Sequence, residues 1–526
     1  MKEKAVVPFE QESPPSIEEI KEGIRFQCEE IINFCEEAQK DQSFYCFEKA
    51  LKKLVSQLSC LFFQLFLMTC HQRLSYDQWL ASGLYYVKKR PIARKIKTIY
   101  GEVKYWRTYL IRKGKKGGGF YPLDAVLGLT RDGFSPLVMS LATKLATRVS
   151  FGSAVLLFRC FYGWAPSSES IEHLVLGIGW EASAYMEVVD SPYGDGEILV
   201  IECDGKATPS ATEKELAKRR GKRKGKGCSC GCQRHRGKAK RKSRKRKRRK
   251  KGDKSKNGRS ITIAVMYTLK IGDDGRLHGP INKKVWGSYA PRQAMFEWIR
   301  RQATKRGFPP GTNMRIHIAV DGEKCLRDGL SKLFPEATFA LDIRHLEEKL
   351  WEIGRTFYAE GSEELEEWVE EKRSLLYAGR AAELVSQLKD LKKTLSKRAK
   401  RDIGKWQALT KLIGYMELRL DMMAYNELIN EDLPIATGIV EGAARYVVGE
   451  RMDCSGMRWI PGRAQALLHL RCIELNGEWD KFFEWGYKRW HQKLRQSEKV
   501  LLRTNMPLDL SLNQNVNSEQ ELSNAA

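Results

Sequence analysis

Several things are scarce in this 526-residue sequence, and each scarcity excludes a class of protein. No apolar run is long enough to span a bilayer. The longest, Leu58 to Cys70, holds about 13 residues broken by Gln64, where roughly 20 are required. It reads as a buried helix, and no membrane partner is expected. The N-terminus, Met-Lys-Glu-Lys-Ala-Val-Val-Pro, lacks the apolar core of a secretory signal. The 13 cysteines are odd in number and lie scattered in apolar segments without a disulfide-like framework, which points to a reducing cytoplasm. Acids are scarce relative to bases, 65 against 92, for a formal net charge of +27.

That charge is concentrated. Between Leu216 and Arg259 there are 24 Lys or Arg and one acid, Asp253, so this stretch carries +23 and the rest of the chain only about +4. A dense polyanion is the natural partner for such a segment. Phosphate neutralisation by Lys222, Arg223, Arg246, Arg248 and their neighbours needs no fold, and adds affinity and salt dependence rather than sequence choice. Within it, Cys228, Cys230, Cys232 and His235 are spaced too tightly for a structural zinc site, which uses two separated Cys-x₂₋₄-Cys-type pairs. Zinc is not expected.

The length implies two to four domains, and 42% hydrophobic residues allow sizeable cores. Residues 1–93 read as helical, with apolar repeats at Leu51, Leu54, Val55, Leu58, Phe62 and Leu65. Residues 94–190 read as a β-hairpin with strands 96–100 and 103–107 around a turn at Gly101-Glu102. Helices follow at 136–147, 151–162 and 168–180, with Ser135, Ser150 and Ser167 as N-caps. The turn Gly163-Trp164-Ala165-Pro166 suits a helix-turn-helix-like DNA-binding region. Residues 196–349 alternate strands and helices as an α/β sheet does, interrupted by a basic insertion at 207–259. Residues 350–430 read as a helical insertion domain, 431–476 as the return to the core, and 477–526 as a helix and polar tail.

Three carboxylates stand out in this frame. Asp204 closes the apolar run Ile-Leu-Val-Ile-Glu-Cys-Asp, and Asp321 closes Met-Arg-Ile-His-Ile-Ala-Val-Asp. Each is followed by glycine, so each strand is expected to stop there. Glu441 lies in a run with helical spacing, 437–448. Two strand-end aspartates and a helix glutamate suit two hard cations, Mg²⁺ or Mn²⁺, which prefer oxygen ligands and clamp the attacking and leaving oxygens of a phosphodiester. Alternation puts Glu202 on the face of Asp204, either supporting a ligand or simply solvated.

The motifs around these acids are Glu-Cys-Asp-Gly (202–205), Ala-Val-Asp-Gly-Glu (319–323), Leu-Asp-Ile-Arg-His (341–345) and Gly-Ile-Val-Glu-Gly-Ala-Ala-Arg (438–445). With Glu-Arg-Met-Asp-Cys-Ser-Gly-Met-Arg-Trp (450–459) and Gly-Arg-Ala-Gln-Ala-Leu-Leu-His-Leu-Arg (462–471), they resemble the ISKra-type DDE transposases of bacterial insertion sequences. The resemblance spans roughly residues 95–490 and is most specific over 438–471. It implies an RNase H-like core, the catalytic and metal-binding triad Asp204, Asp321 and Glu441, and action on double-stranded DNA, both terminal inverted repeats and target. It also implies a homo-oligomer that brings two ends together, in the bacterial cytoplasm at the nucleoid. Asp342-Ile-Arg-His345 looks like the [Cys/Asp]-x-x-His signature shared with Mutator-like transposases, and puts His345 beside the scissile phosphate as proton donor or orienter. The plainer reading is a helix start that Asp342 caps, with His345 packed behind it.

The triad chemistry needs no nucleophilic side chain, and no serine or tyrosine stands out as one. Glu441 also has Arg445 at i+4, so a surface ion pair competes with metal binding. Arg445, Arg451 and Arg458 are candidate phosphate contacts. Trp459 is a candidate for stacking on an unpaired base, against core packing for Met457 and Trp459. Two rival functions share these features: an RNase H-like structure-directed nuclease or resolvase, and a non-catalytic DNA-binding protein derived from a transposase.

Overall fold

The computed structural model describes residues 13–37, 43–81, 83, 85–87, 90–114, 119–130, 132–213, 258–454 and 457–502. The basic residues Lys222, Arg223, Arg246 and Arg248 and the Cys228, Cys230, Cys232, His235 cluster lie outside them. The chain divides into two compact units, Met1–Glu181 with Trp479–Ala525, and Ala182–Glu478.

In the first unit, helix α1 (Ile17–Glu36) starts at a reciprocal capping box: Ser16 Oγ accepts from the Glu19 backbone N–H, and Glu19 accepts from that of Ser16. It pairs with α2 (Phe44–Arg73). The run 58–70, expected to be buried, lies in the C-terminal half of this 30-residue helix, and only Leu67 and Met68 of α2 are buried. By length and composition α2 is apolar enough to cross a membrane, with a mean hydropathy of 1.4 in its best window, and 11% of that window is buried. The short helix α3 (Asp77–Leu80) leads into β1 (Tyr85–Val87). β2 (Ile92–Thr98) and β3 (Gly101–Arg107) form the expected hairpin. Its turn is at Ile99-Tyr100 rather than Gly101-Glu102, because Thr98 pairs with Gly101 and Gly101 takes φ +144. β1, β4 (Leu110–Arg112) and β5 (Gly119–Phe120) make a small antiparallel sheet. After α4 (Pro122–Val126) come α5 (Pro136–Arg148), α6 (Phe151–Tyr162) and α7 (Ser168–Gly179). Ser135, Ser150 and Ser167 cap them as read from sequence. The exposed face of α6 carries Leu156, Leu157 and Phe161, with Arg159 as its one base, so it offers little charge to a phosphate backbone.

The second unit opens with α8 (Ala182–Val188) and is built on a five-stranded mixed sheet. Its strands are β6 (Ile198–Pro209), β7 (Gly258–Ile271), β8 (Leu277–Ser288), β9 (Arg315–Val320) and β10 (Thr338–Leu341), in the spatial order β10-β9-β6-β7-β8. β6, β7 and β8 form an antiparallel meander, while β9 and β10 run parallel to β6 on its other side. The parallel crossovers use α9 (Arg292–Lys305) and α10 (Lys324–Leu333). Ile198, Leu199, Val200, Ile201 and Cys203 are buried, as a central strand covered on both faces requires. Five helices follow: α11 (Ile343–Phe357), α12 (Glu363–Tyr377), α13 (Ala381–Lys393), α14 (Ile403–Glu417) and α15 (Tyr425–Asn430). They fill the stretch read as a helical insertion. The chain then returns through α16 (Gly438–Ala443), a π-helical turn (Ala444–Gly449), α17 (Glu450–Met452) and α18 (Pro461–Leu475).

A candidate metal and phosphoryl-transfer site

Strand register assembles the site. Cys203 pairs with Val320, and Val320 with Leu341. The next residues, Asp204, Asp321 and Asp342, therefore form one row across three adjacent parallel strands, at the carboxyl ends where open α/β sheets place their ligands. β6 does not stop at Asp204, as the following glycine suggested. It continues to Pro209 against β7, and only its pairing with β9 ends, at Cys203. The aspartate therefore projects from a rigid, paired backbone. Its Oδ1 accepts from the Gly205 amide at 2.5 Å, and Asp321 Oδ1 accepts from the Glu323 amide at 2.9 Å. Glu323 is in turn gripped by both terminal nitrogens of Arg292, at 2.5 and 2.6 Å.

The helical insertion holds the Asp321 loop from behind. Tyr415 donates to the Asp321 carbonyl at 2.9 Å, and buried Arg419 donates to the Gly322 carbonyl through Nε at 2.9 Å and Nη2 at 2.5 Å. Gly322 has φ +80, and a Cβ there would lie 2.4 Å from the Tyr415 hydroxyl. Glycine is therefore required both for the left-handed turn and for the close approach of α14. The sequence marked Gly322 as a strand stop. It held no signal that Tyr415 and Arg419 lean on it.

Glu441 reaches the row through a contact that connects opposite ends of the domain's sequence. Its short helix has Thr437 as N-cap residue, but the Thr437 side chain caps nothing there and donates instead to Asp342 Oδ2 at 2.6 Å. The acceptor for the helix start comes from β6: Glu202 Oε2 takes the Val440 amide at 2.8 Å, and Oε1 takes the Tyr267 hydroxyl at 2.9 Å. Glu202 is 1% exposed, so the solvated alternative is excluded. Burial first, then the nearby Asp342 charge, raise its carboxyl above the usual range. Downstream, the π-helical turn leaves the Tyr446 and Val447 carbonyls to Arg471 Nε, at 2.9 and 3.0 Å. Widened turns of this kind recur at functional sites.

Asp342 is fully buried and does cap α11, accepting from the Arg344 amide at 3.0 Å. It also takes His345 Nδ1 at 3.1 Å, and that nitrogen lies 3.6 Å from Glu441 Oε1. One ligand atom each from Asp342, His345 and Glu441 fall within 4.8 Å of one another. The Asp342 cap expected from the sequence is present, while His345 is partly exposed and faces Glu441 instead of packing behind the cap. Desolvation works against the imidazolium, but hydrogen bonding and charge from Asp342, with Glu348 and Asp321, prevail and raise its pKa. Burial and then Asp321 raise Asp204; burial and then Asp342 raise Glu441. These shifts describe a pocket crowded with negative charge.

The remaining candidates separate. Arg445 and Arg458 are exposed. Arg451 is 1% exposed, packed 5.1 Å from the Trp459 ring, and burial lowers its pKa to about 10. A guanidinium held in the interior has no surface from which to reach a phosphate, so Arg451 is structural. Trp459 donates its indole N–H to the Met452 carbonyl at 2.8 Å, and its backbone extends β6 by bridging to Ser210. These contacts are the ones the packing alternative calls for. No protein-family model matches this chain, and no curated protein matches it.

Proposed function

We propose that this chain is a DNA transposase of a bacterial insertion sequence, acting as a metal-dependent polynucleotidyl transferase and endonuclease through Asp204, Asp321 and Glu441. The observation that carries this reading is the register: two aspartates 117 residues apart stand on neighbouring parallel strands, with Glu441 fastened to the same strand by Glu202. The sheet order supports an RNase H-like core, which has an antiparallel meander with two parallel strands added beside its first strand. The acid row at the carboxyl ends of those strands has the donor chemistry for Mg²⁺ or Mn²⁺, oxygen-rich and open to solvent on the Glu441 side. Bound there, such ions supply Lewis-acid stabilisation and a nucleophile at neutral pH.

The protein's own contribution is placement. The paired backbone of β6 fixes Asp204, the Tyr415 and Arg419 contacts fix the Asp321 turn, and the Glu202 contact sets the approach of Glu441. The basic stretch 216–259 supplies non-specific affinity for duplex DNA, and exposed Arg445 and Arg458 are further phosphate contacts. Two ends must meet for strand transfer, which makes a homo-oligomer on DNA the working form. Its setting would be the bacterial nucleoid.

The test is Mg²⁺-dependent cleavage and joining of DNA carrying the inverted repeats that flank the reading frame, by wild type and by Asp204→Ala, Asp321→Ala and Glu441→Ala. Each substitution is expected to lower turnover by at least 100-fold, an order of magnitude consistent with losing electrostatic stabilisation of the transition state. Wild-type activity in any one of them removes that residue from the triad. Cleavage without joining selects the structure-directed nuclease, and DNA binding without either selects the non-catalytic descendant.

A further inference from the structure

We propose that Asp342, His345 and Glu441 form a mixed nitrogen–oxygen site for a first-row divalent ion, sharing Glu441 with the oxygen-only triad. The inference keeps the reading of Glu441 as a metal-facing residue but does not depend on DNA chemistry.

Three observations carry it. The spacing matches ligands around one ion: for metal–ligand distances of about 2.1 Å, ligands at right angles are about 3.0 Å apart and tetrahedral ones about 3.4 Å. The His345 nitrogen is 3.1 Å from Asp342 Oδ2 and 3.6 Å from Glu441 Oε1. A carboxylate oxygen of Asp342 and one of Glu441 also lie within 4.8 Å of each other, with Asp342 fully buried. Such a pair is repulsive when both are ionised, and among the described residues the partners of the Asp342 carboxylate are a hydroxyl, a backbone amide and His345, with no lysine or arginine. Finally, the outer contacts are those that orient metal ligands. Thr437 donates to the Asp342 oxygen, and the Arg344 amide fixes the other, so the carboxylate cannot rotate away.

A divalent ion would take the place of the proton that His345 Nδ1 now shares with Asp342, and would bridge to Glu441 as well. An imidazole with two carboxylates suits Mn²⁺, Co²⁺ or Zn²⁺ better than Mg²⁺, which holds to oxygen. His345 is thereby a metal ligand rather than a proton donor. The half-exposed face of Glu441 leaves the site open for exchange.

Tag-free full-length protein, stripped of metal and titrated with Mn²⁺, provides the test. Electron paramagnetic resonance follows loss of the free-ion signal, and electron spin echo modulation reports ¹⁴N coupled to bound Mn²⁺. The expected result is ¹⁴N modulation in the wild type. His345→Ala should lose it and bind Mn²⁺ at least tenfold more weakly. Asp342→Asn keeps one acceptor oxygen for the Arg344 amide, its own amide donates to a Thr437 hydroxyl that has rotated, and it should show the same weakening with the fold intact by circular dichroism. His345→Gln serves if the alanine variant does not fold. Bound Mn²⁺ without nitrogen coupling, coupling that survives loss of His345, or the absence of Mn²⁺ binding each overturns the site. Cleavage assays run in parallel keep the two proposals apart: nitrogen-coupled Mn²⁺ without DNA cleavage sinks the function and leaves the site, while Mg²⁺-supported cleavage without nitrogen coupling does the reverse.

Discussion

Replacing Glu202 with alanine removes one carboxylate that terminates two buried donors, the Tyr267 hydroxyl at 2.9 Å and the Val440 amide at 2.8 Å. The site is 1% exposed, so water does not enter to replace it. Each orphaned donor costs about 1–3 kcal/mol, which puts the loss at roughly 2–6 kcal/mol for the pair. Glutamine behaves differently. Its carbonyl accepts from Val440, and its amide donates to a Tyr267 oxygen whose hydroxyl has rotated, so both bonds persist as neutral ones. It also relieves a carboxylate that burial already disfavours in its charged form. Glu202→Gln should lie within about 1 kcal/mol of wild type. Amide hydrogen exchange by mass spectrometry on peptides covering 436–449 reads this locally. A loss of about 2 kcal/mol corresponds to roughly 30-fold faster exchange in the alanine variant, against little change in glutamine. Cleavage should follow the same order, because Glu441 rides on this helix. Wild-type exchange over 436–449 in Glu202→Ala would refute the claim that the contact holds the Glu441 helix.

Gly322→Ala should destabilise the second unit by more than about 1 kcal/mol, since it combines a disfavoured φ with a clash against the Tyr415 and Leu341 side chains; urea unfolding measures it. Arg419→Met strands the Gly322 carbonyl and should cost about 1–3 kcal/mol, whereas Tyr415→Phe removes a single bond and should cost about 1 kcal/mol, by the same unfolding assay. In metal-free protein the carboxyls of Glu202, Asp204 and Glu441 titrate above their unfolded values, near 4. Between the unfolded and folded pKa the native state binds more protons, so their contribution is complete below the unfolded value and is lost as pH rises through the folded one. Thermal unfolding without metal should show stability falling across that window. Added Mn²⁺ should restore it above the window and do little below, where protons hold the ligands. Arg458→Ala should lower the salt slope of DNA binding by about one, while Arg451→Met should leave that slope unchanged and act on stability alone; filter binding across salt concentrations separates them.

The sequence by itself determined the local elements of the second unit and the identity of its acids. Hydrophobic runs bounded by Asp-Gly pairs gave β9 and the buried part of β6, and the alternation over 196–349 gave the α/β character of the sheet. Ser135, Ser150 and Ser167 announced their helices because an N-cap is a one-residue chemical requirement. The end of β6 was not legible, since a glycine after an aspartate permits a turn without compelling one, and the pairing with β7 continues past it. The α2 run was misread because apolar composition records preference for burial and not the amount of protein available to cover it.

Only the tertiary structure decided what the acids do to one another. Glu202 looked interchangeable with a solvated strand residue until a helix 238 positions later placed its amide on it. Arg451 and Arg458 are seven residues apart and chemically alike, yet one is interior and the other on the surface. Nothing in local spacing distinguishes them. The row Asp204, Asp321, Asp342 exists because parallel register is set by packing across three strands whose sequences lie 117 and 21 residues apart. Residue type fixes which ligands are on offer. Whether they share one cation depends on distances of 3 to 4 Å, and those are properties of the packed chain alone.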